Sequence, residues 1–365
     1  MEGARSGQIR ASPASRPAVA NPVQYPVRQR LGQADASGQL GLKDEKNGGR
    51  LMAKRSRAAG RSTGKTVPGV VEVPKGTRPD GPVEGIYYID TGDCELIADQ
   101  DNSTGWLLRI NGVMSSHIDL ADPLFLDFEY MRWISALAES RWSRETGPRL
   151  RALHLGGGAC SLARYFHAAY PEARQVVVEL DGKLAGYVRG WFDLPKAPLM
   201  RLRVGEAREV TENLTPHTRD LIIRDVFAGS MTPRPLTTRE FNQHAKRVLA
   251  PGGIYVVNSG DGPDLRNARE DAATIADTFE HTVIIADPAM LKGRRYGNMV
   301  MAGSDLPFDD DPQLARRLLG GAVPAHIWND AKVRAFAAGA PVRHDPPAPP
   351  TPQTTQTPQI PSSAP

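Results

Sequence analysis

The residues of this sequence that can do chemistry stand just after short apolar runs. The glycine triplet Gly156 to Gly158 follows RALHL, Glu179 lies near the end of QVVVEL, and Asp225 lies near the end of DLIIRDV. Two further runs, RLRV and GGIYVVNS, lead into Glu206 and Asn258 to Asp261. In open α/β sheets the carboxyl ends of parallel strands meet at one edge, where ligands bind. We therefore expect these residues to form one site.

The glycine triplet and Glu179 have the spacing of a nucleoside site. Glu179 lies 23 residues after Gly156, close to the spacing at which a carboxylate accepts hydrogen bonds from ribose hydroxyls. Ser161 stands where a dinucleotide fingerprint needs its third glycine, which favours a nucleoside without a pyrophosphate. Glu206 has two open interpretations: a partner of an adenine amino group, or a first-turn carboxylate that stabilises a helix.

Asp225 is the candidate catalytic residue. A carboxylate beside an apolar strand end is costly unless it has a partner or a function. Arg224 should face the other way, because side chains alternate along a strand. The competing interpretation makes Asp225 a loop cap that accepts hydrogen bonds from the amides of Ala228 or Gly229.

The elements that must position these residues can be predicted from periodicity. Residues 83–118 contain short runs rich in Ile, Tyr, Leu and Val, which predict β structure. A helix is expected around LFLDFEYMRWISALAES at 124–140. The runs that follow alternate with helix-like segments, which indicates a mostly parallel α/β sheet. TVIIADP and GNMVMAGS are separated by a short loop and predict an antiparallel final pair.

At this level the sequence resembles a known family. The segments LHLGGGACSLARYF, VVVELD, VGEAREV, DLIIRDVFAG and RVLAPGGIYVVN, in this order, resemble the polyamine aminopropyltransferases, in particular the spermidine synthase-like proteins. The resemblance covers roughly 83–305. It implies a class I S-adenosylmethionine-dependent methyltransferase (Rossmann-like) fold preceded by a small N-terminal β domain. It also implies transfer of an aminopropyl group from decarboxylated S-adenosylmethionine to an amine such as putrescine, without a metal.

The resemblance assigns roles by position. Gly156, Gly157 and Gly158 would line the nucleoside, and Glu179 would bind the ribose. Glu206 and Ala207 would contact the adenine. Asp225 would accept the proton, and Tyr130 would contact the substrate.

The sequence departs from the family pattern at three places. The acid of the family's Gly-Gly-Gly-Asp-Gly-Gly loop, which contacts the donor's amine, is Ala159 here. The usual Asp-Ser-Ser-Asp-Pro is Asp-Val-Phe-Ala-Gly-Ser, so Ala228 replaces the second aspartate. The usual Tyr-His-Glu or Tyr-Gln-Glu is Tyr130-Met131-Arg132.

Three functions therefore remain open. The first is an aminopropyltransferase with a small-molecule amine as its partner. The second is a methyltransferase that uses intact S-adenosylmethionine, which carries its own carboxylate. The third is a non-catalytic nucleoside-binding protein. A homodimer is also an open alternative.

Charge and composition separate the two ends of the chain from the centre. Residues 1–82 carry 15 Lys+Arg and 6 Asp+Glu, whereas the remainder carries 30 and 35. We predict a disordered basic arm over 1–82, with Met52 as a possible true start of the protein. Nucleic acid is not expected as a partner, except for weak contact through this arm. Residues 83–120 are expected to form a small β-hairpin domain and 121–340 the nucleoside-binding domain. The segment 341–365, with nine prolines in 25 residues, predicts a second disordered tail.

The remaining composition narrows the class of protein. No apolar run approaches the roughly 18–20 residues that span a bilayer, which argues against an integral membrane protein. Two cysteines are too few for a disulfide framework or a cysteine-built zinc site. Cys160 can be an activated thiol at a helix start, although a small packing residue is the favoured interpretation. The start of the chain lacks the apolar stretch of a secretory signal, so a cytoplasmic location is expected.

Overall fold

The computed structural model describes residues 81–145, 149–229 and 231–347. The predictions for the basic arm up to residue 80, including Met52, lie outside these residues, as do those for the tail beyond 347. Within the described ranges, no helix is both long and apolar enough to cross a bilayer.

The first element is a four-stranded antiparallel sheet in the order β1-β2-β3-β4, which agrees with the β structure predicted over 83–118. Its strands are β1 (Gly85–Ile89), β2 (Gly92–Ala98), β3 (Gly105–Ile110) and β4 (Val113–Asp119). Asn111 and Gly112 form the tight turn between β3 and β4 with φ values of 49° and 78°, as a two-residue hairpin requires. One face of the sheet is buried by alternating residues, among them Tyr87, Leu96 and Leu108.

The helix α1 (Glu129–Arg141) follows this sheet and begins later than predicted. The sequence placed its start near Leu124. The amide of Leu124 instead donates to the Asp122 side chain, and the amide of Phe125 donates to the Asp122 backbone carbonyl. Leu124 and Phe125 therefore lie in a turn closed by Asp122 and not in a helical turn. Phe128 is the N-cap residue of the helix.

The second sheet has eight strands and contains the predicted parallel core. Its strands are β5 (Arg151–Leu155), β6 (Arg174–Glu179), β7 (Met200–Val204), β8 (Arg219–Arg224), β9 (Leu249–Asp261), β10 (His281–Ala286), β11 (Gly297–Ser304) and β12 (His326–Trp328). They are ordered β12-β10-β11-β9-β8-β5-β6-β7. The pairs among β5 to β9 are parallel, and β10 and β11 form the predicted antiparallel pair.

Helices cover both faces of this sheet, and their bounds are α2 (Ser161–Ala169), α3 (Gly182–Trp191), α4 (Ala207–Glu212), α5 (Arg239–Val248), α6 (Arg266–Thr278), α7 (Pro288–Leu291), α8 (Pro312–Leu319) and α9 (Asp330–Ala337). After β5 the chain adds β6 and β7 on one side, then returns to add β8 and β9 on the other. The strand order therefore reverses between β5 and β8. This switch point brings the loop after β5 beside the loop after β8, where α/β sheets bind ligands.

The folded part extends beyond residue 340, where the sequence analysis ended it. Arg343 is paired with Glu270 and Asp271 on α6. Asp345 accepts two hydrogen bonds from Arg208, at 2.8 Å and 2.5 Å. The first seven residues of the predicted C-terminal tail thus pack against the domain, because two of them carry charges that the helices bind.

These contacts predict that a chain ending at residue 340 melts below a chain ending at residue 347. The shorter chain loses three ion pairs, Arg343 with Glu270 and with Asp271 and Asp345 with Arg208, whose combined worth is about 1–3 kcal/mol. For a protein of this size we expect roughly 2–4 °C per kcal/mol. Calorimetric melting of the two shortened chains at neutral pH checks the prediction. Equal melting temperatures would show that residues 341–347 add no stability.

Candidate functional site

The glycine loop after β5 closely contacts the loop after β8 and the strand β4. Gly156 has a φ of 90°, and a Cβ placed there would lie 2.2 Å from the carbonyl oxygen of Asp225. A Cβ on Gly158, whose φ is 48°, would lie 2.7 Å from Ser116 Oγ. Side chains are therefore excluded from both positions by the conformation and by the neighbours. The loop leaves a bare backbone surface at the switch point.

Glu179 lies at the end of β6 and binds this loop through its carboxylate. Its Oε2 accepts hydrogen bonds from the amides of Gly157 at 3.0 Å and Gly158 at 3.2 Å. Its Oε1 accepts from the amide of Asp181 at 3.0 Å. The two oxygens of a carboxylate offer about four acceptor sites, so three are used and Oε1 has room for one more donor.

Glu206 is the N-cap residue of α4. Its side chain accepts a hydrogen bond from the amide of Glu209 at 2.8 Å, and it is exposed. The neighbouring Ala207 is buried. The helix-stabilising interpretation of Glu206 is thus realised in the structure, while its adenine contact stays a prediction.

Asp225 is held by two side chains that are distant in sequence. The Tyr130 hydroxyl on α1 donates to Oδ2 at 2.9 Å, and the Asn258 amide on β9 donates to Oδ1 at 2.9 Å. Burial raises the pKa of Asp225 above its ordinary value, although both hydrogen bonds and the nearby Arg224 guanidinium act to lower it. Desolvation raises the pKa because it disfavours the charged form, and it outweighs the three effects that lower it.

The loop-cap interpretation of Asp225 does not match this geometry. The amide of Ala228 donates to the carbonyl of Met231 at 2.8 Å, not to the Asp225 carboxylate. Arg224 faces the opposite side of the sheet, as alternation predicted, and its Nη2 donates to Asp271 at 3.1 Å. The Asp225 side chain is therefore directed towards α1 and the site.

Asp225 differs from the other carboxylates at this edge of the sheet in its partners. Glu179 and Glu206 accept hydrogen bonds from backbone amides, and Asp261 does the same with the amides of Gly262 and Ala268. The partners of Asp225 are a hydroxyl and a side-chain amide. Among these four carboxylates, Asp225 is the one whose described partners are both side chains.

The three departures from the family pattern have structural consequences. Ala159 is fully buried, and its amide donates to Ser116 Oγ at 3.0 Å. The Arg132 guanidinium donates to the backbone carbonyls of Leu126, at 2.8 Å, and Asp127. Ala228 is exposed in the loop after β8. At these three positions the chain therefore has the buried Ala159, the cation Arg132 bound to the segment before α1, and the exposed Ala228, and none of them is an acid.

Two other candidates have structural roles. Cys160 is buried, and burial raises the pKa of its thiol to about 12, which contradicts an activated thiol. His154 is buried with Nε2 at 2.9 Å from Gln175 Oε1, and burial lowers its pKa to about 4. In the ranges 81–145, 149–229 and 231–347, no three His, Cys, Asp or Glu residues are grouped as metal ligands.

The sequence analysis missed how Asn258 takes part in the site. It was noted only as a polar residue after an apolar run, but it is buried and bonded to Asp225, and its Oδ1 has no hydrogen-bond partner. A polar residue directly after the apolar run Ile254–Val257 was the available signal, since buried amides need partners. The contact with Tyr130, 95 residues away, left no local signal.

Comparison with solved structures identifies a close relative. The crystal structure of a probable spermidine synthase from Corynebacterium glutamicum matches with a TM-score of 0.70 and 49% sequence identity, over 76% of this chain and 100% of that one. No sequence model of a protein family matches the chain.

Curated proteins match over shorter stretches. A polyamine aminopropyltransferase from Chromobacterium violaceum is 30% identical over 157 residues, which cover 40% of this chain and 56% of that protein. The chain thus matches little more than half the length of this relative. An eEF1A lysine and N-terminal methyltransferase from Bos taurus is 27% identical over 125 residues, 31% of this chain and 18% of that protein.

The chain has a class I S-adenosylmethionine-dependent methyltransferase-like (Rossmann-like) fold, with a mostly parallel sheet preceded by a small antiparallel sheet. It belongs to the spermidine synthase-like family, as its likeness to the whole Corynebacterium glutamicum structure shows.

The raised pKa of Asp225 predicts how Asp225→Asn changes stability with pH. A raised pKa stabilises the fold below the ordinary carboxyl value of about 3.9, and this contribution is lost as pH rises through the raised value. Asparagine does not titrate, and its amide can donate to the Tyr130 hydroxyl. The melting temperature of wild type minus that of the variant should therefore decrease from pH 3.5 to pH 7. A difference that does not vary with pH contradicts the raised pKa.

Proposed function

We propose that the protein transfers an aminopropyl group from decarboxylated S-adenosylmethionine to an amine, with Asp225 as the proton acceptor. The observation that carries the proposal is the environment of Asp225. Asp225 is a partly buried carboxylate at the switch point, and its pKa is raised. Its described hydrogen bonds come from the side chains of Tyr130 and Asn258. Membership of the spermidine synthase-like family supports the reaction type.

The reaction needs a base more than it needs an acid. An alkylammonium with a pKa of about 10 must lose a proton before its nitrogen can attack carbon. The lone pair then forms the new C–N bond while the C–S bond breaks, and the sulfonium leaves as a neutral thioether. A carboxylate within hydrogen-bond reach can bind the ammonium and take the proton. The raised pKa of Asp225 makes it a stronger base than an ordinary aspartate.

The donor's nucleoside is proposed to lie on the glycine loop. Gly156 to Gly158 offer a backbone surface without side chains, and Glu179 Oε1 has capacity for a ribose hydroxyl. Since Oε2 already binds two loop amides, Glu179 would order the loop and contact the sugar through one oxygen. Glu206 and Ala207 are proposed to lie beside the adenine.

The acceptor is proposed to be an amine bound by Tyr130 and Asp225, with putrescine as the first compound to test. The loop after β8 has Phe227 and Met231 on its surface, 37% and 44% exposed. Among the described residues of this loop, no carboxylate follows Asp225. A second ammonium group would therefore gain less here than in a site with two carboxylates, so monoamines belong in the same assay.

Turnover by Asp225→Asn tests the proposed base. The substitution keeps the shape but cannot accept a proton, so kcat with decarboxylated S-adenosylmethionine and putrescine should fall by about 10²–10⁴-fold. Methylthioadenosine affinity should change little, because the nucleoside contacts are on other strands. Release of methylthioadenosine is the measurement.

Asp261→Asn is the matched control at the same edge of the sheet. Asp261 caps the segment before α6 through the amides of Gly262 and Ala268. Its loss should lower the melting temperature while turnover per folded molecule is kept. A fully active Asp225→Asn would refute the base assignment.

Methyl transfer is a second candidate that Ala159 favours. Decarboxylated S-adenosylmethionine has an amine that benefits from a nearby acid, and position 159 is a fully buried alanine. Intact S-adenosylmethionine carries its own carboxylate, which can neutralise that amine.

Calorimetric titration with the two nucleosides separates these candidates. If aminopropyl transfer is the function, the decarboxylated donor should bind at least tenfold more tightly than S-adenosylmethionine. The opposite order indicates methyl transfer. Binding of either nucleoside without turnover on any amine would indicate the non-catalytic alternative.

A further inference from the structure

Asp271 on α6 is the centre of an ionic cluster behind the candidate site. Its side chain is 4% exposed. Oδ2 accepts hydrogen bonds from Arg224 Nη2 at 3.1 Å and from Ser259 Oγ at 2.9 Å, and Oδ1 accepts from Arg343 Nη1 at 2.5 Å. Both oxygens are therefore fixed by groups from three separate parts of the chain.

Two of these partners are the chain neighbours of the site residues. Arg224 directly precedes Asp225, and Ser259 directly follows Asn258. Because side chains alternate across a strand, Asp271 binds one face of β8 and β9 while Asp225 and Asn258 bond to each other on the opposite face. A shift of Arg224 or Ser259 would move the backbone that carries the site.

Arg343, from the C-terminal segment, completes the cluster. It contacts residues of α6 spaced by three and four positions, which form one helical face, and they are Asn267, Glu270, Asp271 and Thr274. Its side chain is 10% exposed. Arg343 thus joins the last described segment to the residue that holds β8 and β9.

We propose that Asp271, held by Arg343, is a positioning residue that fixes Arg224 and Ser259 behind Asp225 and Asn258, and so sets the positive charge that Arg224 presents to Asp225. The inference rests on the proposed function in treating Asp225 as the base. The positioning itself is a statement about geometry and charge and does not depend on which substrate is used.

The charges around Asp225 give the proposal opposite consequences for two variants. The groups that act on the Asp225 pKa are Tyr130 on α1, Asn258 on β9 and Arg224 on β8. Asp271 neutralises Arg224, so Asp271→Asn leaves more positive charge near Asp225 and should lower its pKa. Arg343→Gln removes a positive charge next to Asp271 and should raise that pKa.

Carbon-13 NMR of the full-length chain with labelled aspartate carboxyl groups tests this without substrate. Asp225→Asn identifies the Asp225 resonance. Each variant changes the charge behind β8 by one unit, so the Asp225 pKa should fall in Asp271→Asn and rise in Arg343→Gln. General loosening of the structure would move both variants in the same direction, so shifts of opposite sign support the proposal.

Two matched controls separate an effect through Asp271 from a general effect of helix α6 or of the attachment of the C-terminal segment. Asp277 is on the same helix and pairs with Arg239 near the surface, so Asp277→Asn should leave the Asp225 titration unchanged. Asp345→Asn weakens the same C-terminal segment at Arg208 without touching Asp271, and should also leave it unchanged. An equal shift in Asp345→Asn and Arg343→Gln would overturn the proposal.

The outcome is decisive even if one variant does not fold. Should Asp271→Asn be too unstable to study, an unchanged Asp225 pKa in folded Arg343→Gln overturns the inference, and a raised one supports it. If turnover is found, the acidic limb of the kcat/KM profile should move with the NMR value. Absence of turnover in wild type would refute the proposed function while the NMR titration still decides the positioning role.

Discussion

The alternation of side chains at the ends of β8 and β9 is the constraint on which the site depends. Arg224 and Ser259 lie on one face of the sheet and bind Asp271, while Asp225 and Asn258 lie on the other face and bind each other. The same two strands therefore support an ionic cluster and a titratable site, separated by one layer of backbone. A register slip of one residue would exchange the two faces and destroy both.

Burial gives Asp225 the properties of a base and also makes it costly. A carboxylate that is desolvated and bonded to only two neutral donors is less stable as an anion than one in water, so its pKa rises. On the opposite face of the sheet, Asp271 pairs with the two arginines Arg224 and Arg343, and these ion pairs offset part of the destabilisation. Breaking the fully buried Arg224–Asp271 pair should cost about 3–5 kcal/mol. The stability of the strand ends is thus supplied by residues that do not contact the site.

Local patterns in the sequence predicted the strands and helices, which depend on neighbouring residues along the chain. The apolar runs predicted the strands β5 to β11, and in the central parallel strands β5 and β8 this pattern reflects burial on both faces. Asp225 was conspicuous as a carboxylate directly after one of these runs. The family resemblance implied Tyr130 as a substrate contact, but no pattern in the sequence predicted its hydrogen bond to Asp225. The C-terminal segment was misjudged because its prolines resemble a linker, while the polar face of α6 that receives Arg343 resembles a solvated surface. Such pairings arise from tertiary structure and leave no period in the sequence.

The alanine at position 159 links the N-terminal sheet to the choice of donor. Its amide binds Ser116 on β4, Ser161 donates to the carbonyl of His117 on the same strand, and Ala159 is fully buried in a cluster with residues of that sheet. An aspartate in this conformation would place a charge among the apolar side chains of this cluster, which is unfavourable unless a cation pairs with it. The packing of the N-terminal sheet on the glycine loop and the proposed preference between the two donors therefore involve the same residue.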